Sequence, residues 1–284
     1  MPLLGAHESV AGGLHLAFDR IAKAGGEALQ IFTRNQRQWH APPLTEEEIA
    51  LFRGKWEEAG WMPVASHASY LINLGSSREK QAEDSIRAFA GELQRCDILG
   101  IPWAVIHPGS HGGAGIEAGL ENVARHLDRV FELAGGRSKV TVLLESTAGQ
   151  GTGLGSRFEE LAWIIGRSRF TDRLGVCFDT CHVFAAGYDL RGEDAYDQTM
   201  AEFDRTVGIA RLQFFHLNDA RKNLGSRVDR HEHIGRGMIG LEGFRPLLND
   251  RRFAAHPMTL ETPKGEDLAE DRENLRRLRS LLEE

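Results

Sequence analysis

Residues 174–182 read "LGVCFDTCH": six strand-forming positions that stop at an aspartate, followed within three residues by a cysteine and a histidine. Strand alternation places Cys177 and Asp179 on one side. Cys177, Asp179, Cys181 and His182 all carry atoms able to hold a metal, and what the chain does elsewhere decides which of them could. Seven more short apolar runs occur: "LLGAH", "ALQIF", "MPVASH", "WAVIH", "VTVLLE", "RLQFFH" and "PMTLE", ending near His7, Phe32, His67, His107, Glu145, His216 and Glu261. Between the runs lie helix-like segments such as "TEEEIALFRGKWEEAG" and "EKQAEDSIRAFAGELQRCDILG". In the first, Thr45 is placed as a helix cap with acidic residues in the first turn, and both segments end at glycine.

Strands alternating with helices are expected of parallel strands joined by crossover helices. Eight such units in 284 residues predict an α/β chain: a single (β/α)8 TIM barrel over 1–284, with a metal site at the C-terminal ends of its strands. An open doubly wound sheet is the alternative. It is disfavoured because no Gly-rich dinucleotide fingerprint follows the first run, and "GQGTGLG" at 149–155 lacks the Lys-Ser/Thr of a phosphate loop. Those glycines read as a flexible turn.

Composition is that of a globular chain, with 41% hydrophobic and 26% charged residues. A formal charge of −7 argues against gripping nucleic acid by bulk positive charge. The three cysteines, Cys96, Cys177 and Cys181, make no disulfide framework and suit a reducing compartment. The first twenty residues lack a basic start, and no run of about 18 apolar residues occurs. A cytoplasmic protein with no membrane partner is expected.

Six successive runs finish in His67, His107, Glu145, Asp179, His216 and Glu261. Any one of these could be a packing histidine or a helix-capping carboxylate. Together a barrel aims all six at one region, where bound cations would remove the cost of burying them. Three histidines and three carboxylates suit zinc, manganese or iron better than calcium or magnesium. Six donors exceed one open tetrahedral site, so two metals bridged by a shared carboxylate fit better. A second cluster combines His182 with "RVDRHEH", whose Asp229, His231 and His233 alternate and point one way if extended. One carboxylate and two or three imidazoles suffice for a third metal with an open position.

With these residues in place, the chain resembles the endonuclease IV family of metal-dependent enzymes that incise DNA at abasic sites. The motifs that carry the resemblance are "GAHESVAGGL", "FTRNQRQW", "HASYLINLG", "HPGSH", "ESTAGQGTGLG", "GVCFDTCHVFAAGYDLR", "FHLNDA", "GSRVDRHEHIGRGMIG" and "LET". The resemblance implies three Zn2+ ions, replaceable in part by Mn2+ or Fe2+. The first would be held by His67, His107 and Glu145; the second by Glu145, Asp179, His216 and Glu261; the third by His182, Asp229 and His231. It implies Glu145 and Glu261 at the catalytic centre, and a metal-bridging hydroxide that attacks the phosphate 5′ to an abasic deoxyribose, leaving a 3′-hydroxyl and a 5′-deoxyribose phosphate. It also implies that Arg37 and Tyr70 enter duplex DNA at the lesion, and that the enzyme is a monomer of base excision repair. Arg34, Arg157, Arg227, Arg230 and Arg236 are expected to meet phosphates.

The sequence departs from the family at Ala68, where an acidic residue is common, and at Ser146, where asparagine is common. Each position could tune metal affinity. The strongest rival is a sugar isomerase or epimerase on the same barrel, which would have no need of the third cluster or of Arg37 and Tyr70. In "LGVCFDTCH", Asp179 and His182 are then the donors, Cys177 is a small barrel residue, and Cys181 stands beside a ligand without being one.

Overall fold

The computed structural model describes residues 1–135 and 138–283. Strands form at β1 Leu3–His7, β2 Ala28–Ile31, β3 Val64–His67, β4 Trp103–Ile106, β5 Thr141–Glu145, β6 Leu174–Asp179 and β7 Leu212–His216. Two short strands follow, β8 Asp219–Ala220 and β9 His231–Glu232, and then β10 Pro257–Leu260. The sheet runs β1-β10-β7-β6-β5-β4-β3-β2 and closes, with every barrel pair parallel. Because β1 pairs with both β10 and β2, the open-sheet alternative is excluded.

The helices are α1 Leu16–Ala24, α2 Glu46–Glu58, α3 Glu79–Leu99, α4 Ile116–Ala134, α5 Phe158–Arg167, α6 Thr180–Ala186, α7 Glu193–Thr206, α8 Arg245–Asn249 and α9 Ala269–Arg279. The Thr45 cap forms: its Oγ1 accepts from the Glu48 N–H at 3.2 Å while Glu48 Oε2 accepts from the Thr45 N–H at 2.8 Å. Helix α3 stops at Gly100, whose φ of 90° turns the chain back into β4. No described helix is long and apolar enough to cross a membrane.

Inside the barrel, Ala65, Val105, Leu143, Cys177 and Phe214 form their own buried cluster, against which Trp103 packs. Cys177 is thus the small interior residue that alternation predicts. Two positions further along the same five chain segments come His67, His107, Glu145, Asp179 and His216, so this apolar layer is the floor of whatever those residues bind. Three strands stop a residue short of the expected ends, at Ile31, Ile106 and Leu260, because the backbone is leaving the ladder there. The N–H of Glu261, for example, donates to the Asn218 side chain at 2.8 Å.

Gly5 of β1 sits directly against β2, where an added Cβ would lie 1.7 Å from the Ala28 carbonyl oxygen. We expect Gly5→Ala to cost about 3 kcal/mol or more, because backbone rather than a movable side chain blocks it. By contrast, a Cβ on Gly54 of α2 would meet nothing within 4 Å. Gly54→Ala should gain roughly 0.5–1 kcal/mol of helix propensity. Thermal unfolding of the two variants checks both; equal midpoints would refute this account of the strand contact.

Candidate metal centre

Glu145, at the end of β5, is completely buried and carries four imidazole contacts. Its Oε2 lies 3.0 Å from Nε2 of both His67 and His107, and its Oε1 lies 3.1 Å from Nδ1 of both His182 and His216. Beyond His216, Nδ1 is 3.3 Å from Glu261 Oε2 and 3.7 Å from Asp179 Oδ2. His182 Nε2 is 3.2 Å from Asp229 Oδ1 and 3.3 Å from His231 Nε2. Among the described residues, the donor atoms fall into sets whose members lie within 4.8 Å of one another: His67, His107 and Glu145; Glu145, Asp179, His216 and Glu261; His182, Asp229 and His231. A further set, Asp179, Cys181 and His231, shares two of these residues.

The donor spacing suits cations. Ligands about 2.0–2.1 Å from a tetrahedral zinc are separated from each other by about 3.3 Å, which is the spacing of these atoms. The imidazoles are also pre-oriented. Carbonyl oxygens can only accept, so Nδ1 of His67 donates to Ala68 O (2.8 Å), that of His182 to Ser146 O (2.8 Å) and that of His231 to Glu261 O (3.1 Å). Each ring, when neutral, therefore carries its proton on Nδ1 and turns a bare Nε2 to its donor set. The residues fit divalent metal. The departures at Ala68 and Ser146 leave this orientation intact, because both positions act through their backbone carbonyls. Ser146 contributes once more, its Oγ accepting the Asp179 N–H at 2.9 Å.

The third set hangs on a separate scaffold. Strands β8 and β9 pair antiparallel, Ala220 opposite His231. The loop after β9 closes around the buried Asp219 carboxylate, which accepts N–H groups of Ala220 (2.8 Å), Gly235 (3.0 Å), Gly237 (2.9 Å) and Ile239 (2.9 Å). Gly237 has no room for a side chain: a Cβ would lie 2.5 Å from Asp219 Oδ1. From the other side, Gln150 Oε1 accepts the Asp229 N–H at 3.0 Å. The glycine-rich segment that supplies Gln150 is a braced turn, not the loose one the sequence suggests. Leu154 N–H donates to Gly109 O at 2.8 Å, and Ser110 pairs with Gly153. His233 does not join the set. Its ring meets the Asn274 amide at 3.2 Å because the chain turns immediately after β9.

Arg37 and Tyr70 line a cleft of ≈ 760 Å³ at the barrel mouth, together with His7 and Phe32. Tyr70 is 70% exposed. Arg227, Arg230 and Arg236 are also exposed, as is Arg157 beside Glu159. Arg34 is a correction to the expected phosphate contacts. Its side chain is only 5% exposed, lies 3.5 Å from Glu92 and donates to the Trp39 carbonyl at 3.0 Å, so it braces the loop that carries Arg37.

The sequence reading passed over two buried amides. Asn218 Nδ2 donates to Asp179 Oδ2 at 2.7 Å, and Gln30 lies between His216, Glu261 and His7. Gln30 lies inside the apolar run "ALQIF", where no periodicity marks it as facing the cluster.

A closed barrel with a histidine–carboxylate cluster at the carboxyl ends of its strands defines the class, and residues 18–281 match the family model described as xylose isomerase-like TIM barrel. The chain is 56% identical over 283 residues to a protein from Chloroflexus aggregans called "Probable endonuclease 4", covering 99% of this chain and 98% of that one. A protein of the same name from Geobacter sulfurreducens is 50% identical, covering 98% and 94%. The crystal structure of endonuclease IV from Thermus thermophilus superposes with a TM-score of 0.88 at 39% identity, covering 99% and 98%. This chain belongs to the endonuclease IV family. The fold alone is shared more widely, as with a D-tagatose 3-epimerase-like protein at TM-score 0.74 and 18% identity.

Charge in the cluster is strongly coupled. Burial alone would depress His67, His182 and His216, but the surrounding carboxylates, together with Cys177 beside His216, lift all three above the ordinary histidine value. Burial likewise works against ionised Glu145 and Glu261, yet neighbouring imidazoles hold both well below the usual carboxylate range. Against burial, His182 and His231 hold Asp229 down to about 2. In the metal-free chain the raised histidines stabilise the fold below their unfolded value of about 6.5, and that contribution fades as pH rises through their folded values. Cations must displace those protons, so metal binding has the opposite dependence. We expect zinc to raise the unfolding midpoint more at about pH 8 than at about pH 6, with proton release on loading in weakly buffered solution. Calorimetric titration in buffers of different ionisation enthalpy checks this, and a pH-independent uptake without proton release would contradict it.

Proposed function

We propose that this deoxyribonuclease hydrolyses the phosphodiester 5′ to an abasic site in duplex DNA, leaving a 3′-hydroxyl and a 5′-deoxyribose phosphate, as a step of base excision repair. The observation that carries this reading is the third donor set, His182, Asp229 and His231, placed against the Glu145 cluster on an endonuclease IV barrel. His67, His107 and Glu145 would hold one ion, Glu145, Asp179, His216 and Glu261 a second, and His182, Asp229 and His231 a third, as zinc or in part manganese or iron. When bound, these ions supply a water of lowered pKa and positive charge for the phosphate oxygens.

The chain's own groups set the geometry. Glu145 turns one oxygen to His67 and His107 and the other to His182 and His216, which suits it to bridge. Glu145 and Glu261 are assigned to the reacting centre, both kept anionic by the imidazoles around them. Asp229 is 42% exposed, so the third set opens to the mouth where a departing 3′-oxygen would lie. Exposed Tyr70 and Arg37 flank the same mouth. An abasic site lacks one base's stacking, so an aromatic ring or guanidinium can fill the gap at lower cost than in intact duplex. Three divalent ions would bring the formal charge of −7 to −1 and concentrate the change where DNA approaches. The working form in this reading is a cytoplasmic monomer.

Incision of a duplex with one abasic residue, and no incision of its intact counterpart, is the expected result; activity should stop when metal is stripped. His231→Ala should lower turnover by about 100-fold or more while duplex affinity changes little. Fewer than about two metals per chain after gentle purification, or sugar isomerisation without incision, would overturn the reading.

A further inference from the structure

Gln30 is completely buried near the end of β2, where an amide is costly unless both of its ends are satisfied. Its Nε2 donates to Glu261 Oε1 at 2.6 Å and lies 2.9 Å from His7 Nδ1, while its Oε1 lies 2.8 Å from His216 Nε2. The order of these contacts is forced. An ionised carboxylate only accepts, so the amide nitrogen must face Glu261 and the amide oxygen must face His216. His216 therefore has to present an N–H at Nε2. A neutral imidazole has one N–H, which leaves Nδ1 as a bare lone pair aimed at Glu145, Glu261 and Asp179.

We infer that Gln30 is a positioning residue: by spanning Glu261 and His216 it fixes the ring tautomer that binds metal and reserves Glu261 Oε2 for the same ion. His216 is the exception among the ligand rings described above, for its outward bond is made by Nε2 where His67, His182 and His231 make theirs with Nδ1. Among the described residues, no carbonyl of the backbone accepts from its outer nitrogen; the Gln30 amide takes that place. The fit at His7 is consistent. Its Nδ1 lies 2.9 Å from the same amide nitrogen, which can only donate, so that ring nitrogen accepts.

This inference rests on the reading that the cluster holds metal, and the test separates the two. Zinc affinity of the full chain is measured by chelator competition for wild type and for Gln30→Met, which keeps length and flexibility but loses both hydrogen bonds. One of the three sites is expected to weaken by about 10–100-fold while the other two hold. Turnover should fall at limiting zinc and recover in excess zinc, with KM for abasic duplex unchanged. Independently, long-range nitrogen–proton spectra of zinc-loaded wild type should show His216 protonated at Nε2. Unchanged zinc affinity in folded Gln30→Met, or a His216 ring protonated at Nδ1, overturns the inference. Wild type that binds no zinc fails the functional reading instead.

Discussion

Everything at the mouth of this barrel answers to one buried carboxylate. Glu145 has no exposure, and an isolated ionised carboxyl in that position would be driven toward protonation by desolvation. Imidazoles from β3, the loop after β4, α6 and β7 converge on its two oxygens and favour the anion instead. Four elements distant in sequence must therefore be held in place together. The barrel supplies that rigidity, and the apolar layer of Leu143 and its neighbours keeps the cluster dry from below. Removing any one ring leaves the anion less compensated, so the ligands act as a unit.

The bridging geometry has a chemical corollary. A neutral histidine that donates from one nitrogen to a fixed carbonyl offers the other as a lone pair. His67, His182 and His231 obtain this from backbone, which mutation of a side chain cannot easily disturb. A side-chain change at position 68 or 146 therefore leaves the ring orientation of His67 and His182 intact. His216 and Asp179 depend on side-chain amides, Gln30 and Asn218, and are correspondingly more exposed to substitution.

The strands and the main donors were legible because a parallel barrel imposes a repeated signature: a short apolar run that stops at a polar atom. Glu145, Asp179 and His216 each end such a run. Asp229 and His231 could be paired with His182 because neighbouring strand loops adjoin. Gln30 and Asn218 escaped because a polar residue next to apolar neighbours gives no period of its own. The value of Gln30 appears only when a partner 186 residues away is brought beside it. The side chain of Arg34 is equally hard to place from sequence. Its charge suggested phosphate, but Glu92 of helix α3 had already claimed it. The exclusion of His233 turns on a change of backbone direction that alternation alone does not reveal.

Asp219 divides the centre mechanically. The residues around Glu145 are tied into barrel strands, so exposing them requires opening the sheet. Asp229 lies near the end of the β8–β9 connection and His231 opens β9, and the loop after β9 is gathered by one carboxylate through the backbone amides of Gly235, Gly237, Ile239 and Gly240. Amide exchange at Gly235, Gly237 and Ile239 would show whether that loop opens separately from the barrel. Asp229 and His231 are thus carried outside the barrel sheet, so a substitution that disturbs the β8–β9 pair can reach them without touching the strand-borne donors around Glu145.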